Sequence, residues 1–316
     1  MRAEQRTDRG DDRDGRRGLS GIQSGLLASL LLGWAPILGK FAYQANVDPL
    51  TLAALRTLVA AVFLWIVYGL FWRKRILLRW REALNCLIVG VINGIGSLFY
   101  YGGLDRLDAS RAALLGALVP VWVVIFLSAS GQTIRRLTLI RLGGSLVGAM
   151  LVTSPWAMNR LADYLGAMLM VVSAAVNGWY LVMGQWVLSD APARSATLYI
   201  ITGMAITVAL ARIVGGGAVD PISAPGLEAI VALGLTTALS RLAMFLSLEK
   251  LGSVQTAIIS LTEMAVSLTL AFVFLGDRLT TLQWAGAVLL LGGGVFARLD
   301  VERGAMPPPS FNPMDT

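Results

Sequence analysis

Two charged residues in the middle of long apolar segments are the groups of this sequence most able to do chemistry. Glu263 is the only acidic residue in the middle of such a segment, and Arg241 lies near the centre of the segment before it. A charge at the centre of a membrane helix costs about 3 kcal/mol on insertion scales, so each must face water, a ligand or the other. An arginine can bind a substrate carboxylate, and a glutamate can bind an ammonium group or carry a proton. A fixed ion pair between two helices is the structural alternative.

Polar side chains accompany these charges at helical spacing. Thr256, Ser260 and Glu263 follow one another at steps of four and three, which places them on one face of a helix. Tryptophans nearby offer stacking surface, although a buried helix crossing would also explain them. We predict possible proton coupling at Glu263, no catalytic residues, and substrate binding by Trp34, Asn93, Ser97, Tyr100, Asn177, Trp179, Thr237, Arg241, Thr256, Ser260 and Glu263.

The composition indicates a membrane protein. Of 316 residues, 56% are apolar and 14% are charged, and the mean hydropathy is +0.70; the charged share is about half that of a soluble domain. Each of ten apolar stretches, with its connection, has about 28 residues, close to the ~20 that span a bilayer plus a short loop. We expect an all-α integral membrane protein, because backbone groups in lipid must be satisfied internally. Spans 1 to 10 are predicted at 22–43, 49–71, 83–104, 110–130, 137–156, 164–187, 194–214, 227–247, 254–275 and 280–298.

The residue inventory argues against an enzyme or a nucleotide-driven pump. The chain contains no histidine and one cysteine, Cys86, so we expect no metal site and no cofactor. It contains no P-loop pattern, and the ten spans leave no room for a motor domain. A membrane enzyme acting on lipids would need a catalytic cluster at the membrane surface, and the sequence shows no paired-carboxylate motif. A scaffold or receptor would leave the polar helix faces unexplained.

Basic residues are distributed unequally between the connections. They are frequent before span 1, between spans 2 and 3, between spans 4 and 5, and after span 10. By the positive-inside rule, both termini are therefore predicted to be cytoplasmic, in a multi-pass protein of the cell membrane, with a bacterial inner membrane as the expected location. Residues 1–18 and 301–316 are predicted to be disordered cytoplasmic tails. Long basic side chains near span ends are expected to reach the lipid headgroups; they are Lys40, Arg56, Arg111 and Arg212.

An internal repeat divides the chain. A shift of 144 residues aligns Leu104–Leu107 with Leu248–Leu251 and places Ala113 on Ala257, and shifts of 145 and 142 align further segments. The same shift places the polar face of span 3 on the face of span 8 that contains Arg241. We predict two five-helix repeats, at 19–158 and 159–300. Because five is an odd number, the second repeat is expected to be inverted in the membrane, an architecture typical of alternating-access carriers with a substrate near the midplane.

Three short motifs follow one another along the chain: PLTLAALR at 49–56, LDRLDASRAA at 104–113 and LGDRLT at 275–280. With the duplication, they resemble the EamA-type ten-helix carriers of the drug/metabolite transporter (DMT) superfamily. The last motif is similar to the family's LGERLT turn, with Asp277 in place of glutamate. Where the family often has Glu-Pro in spans 4 and 9, this chain has Val119-Pro120 and Glu263-Met264.

The resemblance implies a central cavity lined by spans 1, 3, 4, 6, 8 and 9 and the export or exchange of small metabolites. We therefore predict a secondary active or facilitative transporter that exports amino acids or related zwitterionic or anionic compounds by alternating access. Efflux of lipophilic organic cations is the alternative, with Glu263 as counter-ion and tryptophans as cation-π partners, but Arg241 in the same cavity argues against it.

The expected partners are a small-molecule substrate and the lipid bilayer, and no nucleic acid. Glycines in spans 5 and 10 permit close helix contact. They would pack the two halves together or form the face of a homodimer; they include Gly144, Gly148 and Gly286.

Overall fold

The structure, a computed structural model, describes residues 19–130, 140, 143–144, 147–148, 150–151, 161–215 and 221–289. Within these residues the chain is helical and contains no strand. This confirms the all-α fold class. Predicted span 5, the end of predicted span 10, both predicted tails and the predicted repeat boundary at 158–159 lie largely or wholly outside the described residues.

Seven helical segments of the described part are long and apolar enough to cross a membrane. A shorter apolar helix, Leu261–Leu275, follows the last of them. The exact number of ten spans stays a prediction. The seven segments are Leu19–Gln44, Pro49–Phe71, Trp80–Arg106, Ala109–Ala129, Leu161–Asp190, Ala193–Val214 and Ala224–Ile259. We keep the predicted numbers for them: the first four are spans 1 to 4, and the next two are spans 6 and 7.

Spans 8 and 9 meet within the last of these segments, at Gly252. This residue has φ 79° and ψ 174°, a conformation that glycine adopts without the steric penalty of a Cβ atom. The Gln185 side chain accepts a hydrogen bond of 2.8 Å from the Ser253 N–H, which the kink leaves without a helical partner. Span 8 therefore ends at the kink and span 9 begins after it, within the connection that the sequence predicts.

Three spans are interrupted in their middle. Span 1 breaks at 33–34, span 4 at 117–118 between Ala109–Gly116 and Val119–Ala129, and span 9 at Ser260. Pro36 and Pro120 follow the first two breaks, and proline removes a backbone donor from the helix. The 144-residue shift places the break of span 4 on 261–262, one residue after the break of span 9 at Ser260. Span 9 then continues as Leu261–Leu270 and a π-helical turn at Ala271–Leu275.

Spans 2 and 7 pack against each other in opposite directions. The Tyr68 hydroxyl, near the end of span 2, donates a 2.8 Å hydrogen bond to the Arg194 carbonyl at the start of span 7. Arg212, near the end of span 7, donates a 2.7 Å bond from Nε to the Thr51 hydroxyl at the start of span 2. Tyr68 and Arg212 are 144 residues apart, and their acceptors Thr51 and Arg194 are 143 apart, so the two contacts correspond under the repeat to within one residue.

Glycines allow the closest crossings of the bundle. A Cβ atom added to Gly203 in span 7 would collide with the Leu87 backbone in span 3, and one added to Gly90 in span 3 would collide with the Ile200 carbonyl in span 7. Spans 3 and 7 therefore approach backbone to backbone, as small residues permit in membrane proteins. A homodimer through spans 5 or 10 stays a prediction.

Candidate functional site

A cavity lies in the centre of the bundle against the three helix breaks. Residues on both sides of each break line it, among them Leu32 and Ala35 in span 1 and Gly116 and Val119 in span 4. Its volume is about 140 Å³. Since one water needs about 10–15 Å³ of such space, the cavity is large enough for a small metabolite. Spans 1, 3, 4, 6, 8 and 9 contribute to the lining, as the resemblance implies, and span 2 contributes Arg56.

Helix spacing brings most of the predicted site residues to this cavity. Eight of the eleven line it, and they come from spans 3, 6, 8 and 9. Their hydroxyl, amide, guanidinium and carboxylate groups therefore share one small space. These residues are Ser97, Tyr100, Asn177, Thr237, Arg241, Thr256, Ser260 and Glu263.

Three predicted site residues lie outside the cavity lining. Asn93 is buried beside it and donates from its side-chain nitrogen to the Asn177 Oδ1 at 3.4 Å. Trp34 is half-buried, and its ring centroid lies 5.4 Å from that of Phe274. Trp179 is 45% exposed on the outer surface of span 6. The structure therefore places the Trp179 ring away from the groups that could contact a substrate in the cavity.

Arg56 is a cavity residue that the sequence analysis missed. It is 5% exposed, so the expectation that it reaches the headgroups is wrong. Its guanidinium donates to the Thr237 hydroxyl at 2.9 Å and to the Ser97 hydroxyl, and its Cζ atom lies 4.4 Å from the centre of the Tyr101 ring. A signal was present in the sequence: Arg56 lies seven residues after Pro49, about 10 Å into the span at 1.5 Å per residue.

Arg241 and Glu263 do not form a salt bridge in this structure. The Arg241 guanidinium lies 5.2 Å from the centre of the Tyr180 ring, and its Nη1 lies 3.7 Å from the Met244 sulfur. Its buried Nε has no hydrogen-bond partner among the described residues. Arg241 is near enough to act on the Glu263 charge electrostatically. The two charged groups therefore share the cavity without neutralising each other by direct contact.

The Glu263 carboxylate lies at the start of a helix. Glu263 is in the first turn of Leu261–Leu270, where the free N–H groups of a helix favour a negative charge. Among the residues that the structure describes, none forms a salt bridge with this carboxylate. Glu263 thus lies in the first turn after the break of span 9, inside an apolar bundle.

Two serines stabilise the broken helices beside the cavity. The Ser29 hydroxyl of span 1 lies 3.2 Å from the Ile259 carbonyl at the break of span 9, and the Ser267 hydroxyl of span 9 lies 3.0 Å from the Gly33 carbonyl at the break of span 1. Each donates a hydrogen bond to a carbonyl of the other span. Backbone irregularity at membrane depth needs partners of this kind. Neither contact was predictable from the sequence, because each joins residues more than 200 positions apart.

The described residues contain no cluster of three or more His, Cys, Asp or Glu side chains that could hold a metal ion. The cavity instead offers two guanidinium groups and one carboxylate among neutral hydrogen-bonding groups. Such a set can bind ligands that contain carboxylates, and it offers an ammonium group one negative partner.

Comparison with known proteins identifies the fold and the family. A solved structure whose title reads only "Crystal structure of protein" matches with a TM-score of 0.66 and 19% identity, over 91% of this chain and 99% of the other. No curated protein sequence matches this chain. The family model described as "EamA-like transporter family" matches residues 19–154 and, a second time, 164–299. The chain is therefore a multi-pass membrane protein with two repeats, and it belongs to the EamA-like transporter family, of the DMT type.

Proposed function

We propose that the protein is a carrier that exports small zwitterionic or anionic metabolites, such as amino acids or related compounds, by alternating access through the central cavity. The observation that supports this is the presence of two arginines and one glutamate, Arg56, Arg241 and Glu263, around one cavity without a salt bridge between Arg241 and Glu263. Charged groups at this depth are costly unless water or a ligand meets them. A ligand with a carboxylate would supply the missing partner.

The architecture that we propose for this carrier has ten spans in two inverted repeats. The equivalent breaks of spans 4 and 9 support it, as do the equivalent contacts at the two ends of the span 2 and span 7 pair. In such an arrangement the two halves rock around a fixed midplane site. We propose a bacterial inner membrane as the location, with both termini in the cytoplasm, as the distribution of basic residues predicts.

The charge balance favours anions over lipophilic cations as substrates. Arg56 and Arg241 both line the cavity, and each would repel a cation at short range. Glu263 alone does not offset two positive charges. Efflux of lipophilic cations is therefore less favoured than export of anions or zwitterions. The first experiment can detect it.

The first test is thermal stabilisation of the purified protein in detergent by amino acids, by organic anions and by tetraphenylphosphonium. A ligand that binds the native state raises the melting temperature by mass action. We expect stabilisation by compounds with a carboxylate. Stabilisation by tetraphenylphosphonium alone would overturn the proposal in favour of cation efflux.

Liposome flux then tests the two charged residues. Glu263→Gln should reduce substrate flux at least about tenfold, since a charge-assisted hydrogen bond contributes about 1.5–3 kcal/mol, with expression and monodispersity near wild type.

Arg241→Ala should weaken the binding of carboxylates more than that of cations. The matched control is Trp179→Phe, which lies outside the cavity. If Arg241→Ala weakens the binding of carboxylates and of cations equally, Arg241 is not the anion contact. If Glu263→Gln misfolds and neutralising Arg241 restores folding, the two residues form a structural ion pair instead.

A further inference from the structure

We propose that the preferred substrate has two carboxylates and one ammonium group, as an acidic α-amino acid does. In this proposal Arg241, which is in electrostatic range of Glu263, contacts the α-carboxylate, Arg56 contacts the side-chain carboxylate, and Glu263 contacts the ammonium group. This inference rests on the proposed function and names the substrate class of the same cavity. It starts from Arg56, whose side chain is buried at the cavity and has no acidic partner within the described residues.

Arg56 is held in place with donors to spare. A guanidinium has five N–H donors, and Arg56 uses one on the Thr237 hydroxyl and one on the Ser97 hydroxyl. Its Nε is buried and has no partner among the described residues, and two of its four Nη N–H donors remain for a ligand. The Tyr101 ring lies below the guanidinium at 4.4 Å. A group oriented by neutral partners on two sides is prepared to receive a carboxylate, because little freedom is lost when the ligand binds.

Arg241 lies next to Arg56 in the cavity. It follows Thr237, the partner of Arg56, by four residues on the same helix, about 6 Å at 1.5 Å per residue. Its Nε is also buried and has no partner among the described residues, and the two guanidiniums act on each other electrostatically. Like charges this close repel each other unless an anion offsets them. Two adjacent cationic groups with free donors thus match a ligand with two anionic groups.

Glu263 supplies the third element of recognition. It lines the same cavity from span 9, in electrostatic range of Tyr100 and Arg241, and forms a salt bridge with neither arginine. The three charged groups sum to +1. A ligand with two carboxylates and one ammonium has a net charge of −1, and each of its charges meets one of opposite sign. A neutral zwitterion leaves one arginine without a partner, and a dicarboxylate without an amine leaves Glu263 without one.

The test uses three ligands of the same carbon chain: glutamate, glutamine and glutarate. Glutamine lacks the second carboxylate, and glutarate lacks the ammonium group. Dissociation constants are measured on the full chain in detergent by isothermal titration calorimetry at one ionic strength. We expect wild type to bind glutamate at least about tenfold more tightly than either analogue, the smallest effect expected for one charge-assisted hydrogen bond.

Variants assign each preference to a residue. Arg56→Gln should bring the ratio of the glutamine and glutamate dissociation constants toward one. Glu263→Gln should bring the ratio of the glutarate and glutamate dissociation constants toward one. Arg56→Lys keeps the charge and should restore part of the first preference, so it remains informative if Arg56→Gln does not fold. Arg111→Gln removes a positive charge outside the cavity, next to Asp108, and should keep both ratios.

The outcomes separate this inference from the proposed function. If wild type binds glutamine as tightly as glutamate, the two-carboxylate substrate is overturned while a carrier of neutral zwitterions stands. If glutarate binds as tightly as glutamate, the ammonium contact at Glu263 is overturned. If none of the three ligands binds and tetraphenylphosphonium does, both proposals fail. If Arg56→Gln and Arg111→Gln lower the ratio of the glutamine and glutamate dissociation constants equally, the preference reflects a general charge effect. That result would overturn the role of Arg56.

Discussion

Spans 2 and 8 cross with the same geometry as spans 7 and 3. The 144-residue shift places Gly90 on Gly234 and Arg56 on Ile200. A Cβ atom added to Gly234 would lie 2.8 Å from the Arg56 carbonyl, and one added to Gly90 would collide with the Ile200 carbonyl. At each crossing, a glycine of one helix therefore lies against a backbone carbonyl of the other, and the two carbonyls are at equivalent positions in the repeat.

The side chains at the two crossings have different chemistry. Arg56 of span 2 donates to Thr237 of span 8 at 2.9 Å. At the equivalent positions, Ile200 of span 7 is 1% exposed and apolar, and the Oδ1 atom of Asn93 in span 3 has no partner among the described residues. The repeat thus preserves the packing of the backbone while only one crossing brings a charge to the cavity. Experiments can test the shared packing and the different chemistry separately.

The largest effect is expected where the backbones touch. Gly203→Ala should destabilise the protein by about 3 kcal/mol, at the upper end of the cost of overpacking, because a Cβ atom there meets only the backbone of Leu87. Thermal unfolding in detergent measures the loss. The control is Gly69→Ala, where an added Cβ atom has no neighbour within 4 Å and alanine favours the helix. Equal losses at both positions would show that the crossing of spans 3 and 7 is not tightly packed.

The matching substitution at the other crossing is Gly234→Ala. Its Cβ atom would lie 2.6 Å from the Val59 Cγ1, so part of the conflict is with a side chain. Val59→Gly should therefore recover part of the stability that Gly234→Ala loses in a double-mutant cycle. The corresponding recovery is not available at Gly203, where the opposing atoms are backbone.

A smaller effect tests the difference in chemistry. Thr237→Val removes the acceptor of a buried charged donor and should cost about 1–3 kcal/mol. Asn93→Leu should cost less, because its hydrogen bond to the Asn177 Oδ1 is long, at 3.4 Å, and joins neutral groups, while its own Oδ1 has no partner among the described residues. Both residues are buried, at 3% and 2% exposed, so the two substitutions are matched in environment. Thermal unfolding of the two variants side by side is the measurement. Equal costs would mean that the two crossings do not differ in polar stabilisation.

The smallest effect concerns the start of the two helices. Asp48 caps span 2 by accepting from the Leu50 and Thr51 N–H groups, both at 3.0 Å, whereas at the start of span 7 the Ala193 N–H donates to Glu249 of span 8 at 3.1 Å. Asp48→Ala should cost about 0.5–2 kcal/mol, the usual value of an N-cap. A loss well above this range would show that Asp48 has a role beyond the cap.

The cap of span 2 also predicts a pH dependence. Burial acts to raise the pKa of Asp48, but hydrogen bonds from Thr51, the positive charge of Arg212 and a hydrogen bond from Leu50 together outweigh it and hold the pKa below its usual value. A lowered pKa in the folded state means that the cap stabilises the protein above the unfolded pKa, and that this contribution is lost as pH falls below about 4. Asp48→Ala should remove this part of the pH dependence in thermal unfolding between pH 3 and 6, and an unchanged profile would contradict it.

The spans were predictable from the sequence because each is a continuous segment of mostly apolar residues. The predicted span at 49–71 coincides with Pro49–Phe71, and that at 194–214 begins one residue after the observed start, Ala193. The break of span 9 was not predictable in this way. It has no proline, and its freed Ile259 carbonyl accepts from Ser29, 230 residues away in the sequence.

The candidate site was predictable in part for a similar reason. Spacing of three and four identifies residues on one helix face, and together with the repeat it led to seven of the eight predicted residues that line the cavity. Spacing does not show which neighbour covers a face. Trp179 was predicted in the site as a stacking surface, although it is 45% exposed. Arg56 was predicted at the headgroups because it lies near a span end, although it is buried against span 8.

The sequence by itself determined the helical membrane fold, the duplication and the position of Arg241 and Glu263 within long apolar segments, because hydropathy and periodicity are properties of neighbouring residues. Only the tertiary structure decided that Arg56 joins these two charges and that serines from distant spans satisfy the broken helices. Those contacts depend on which helices cross and at what distance, and glycines such as Gly90 and Gly234 make that approach possible.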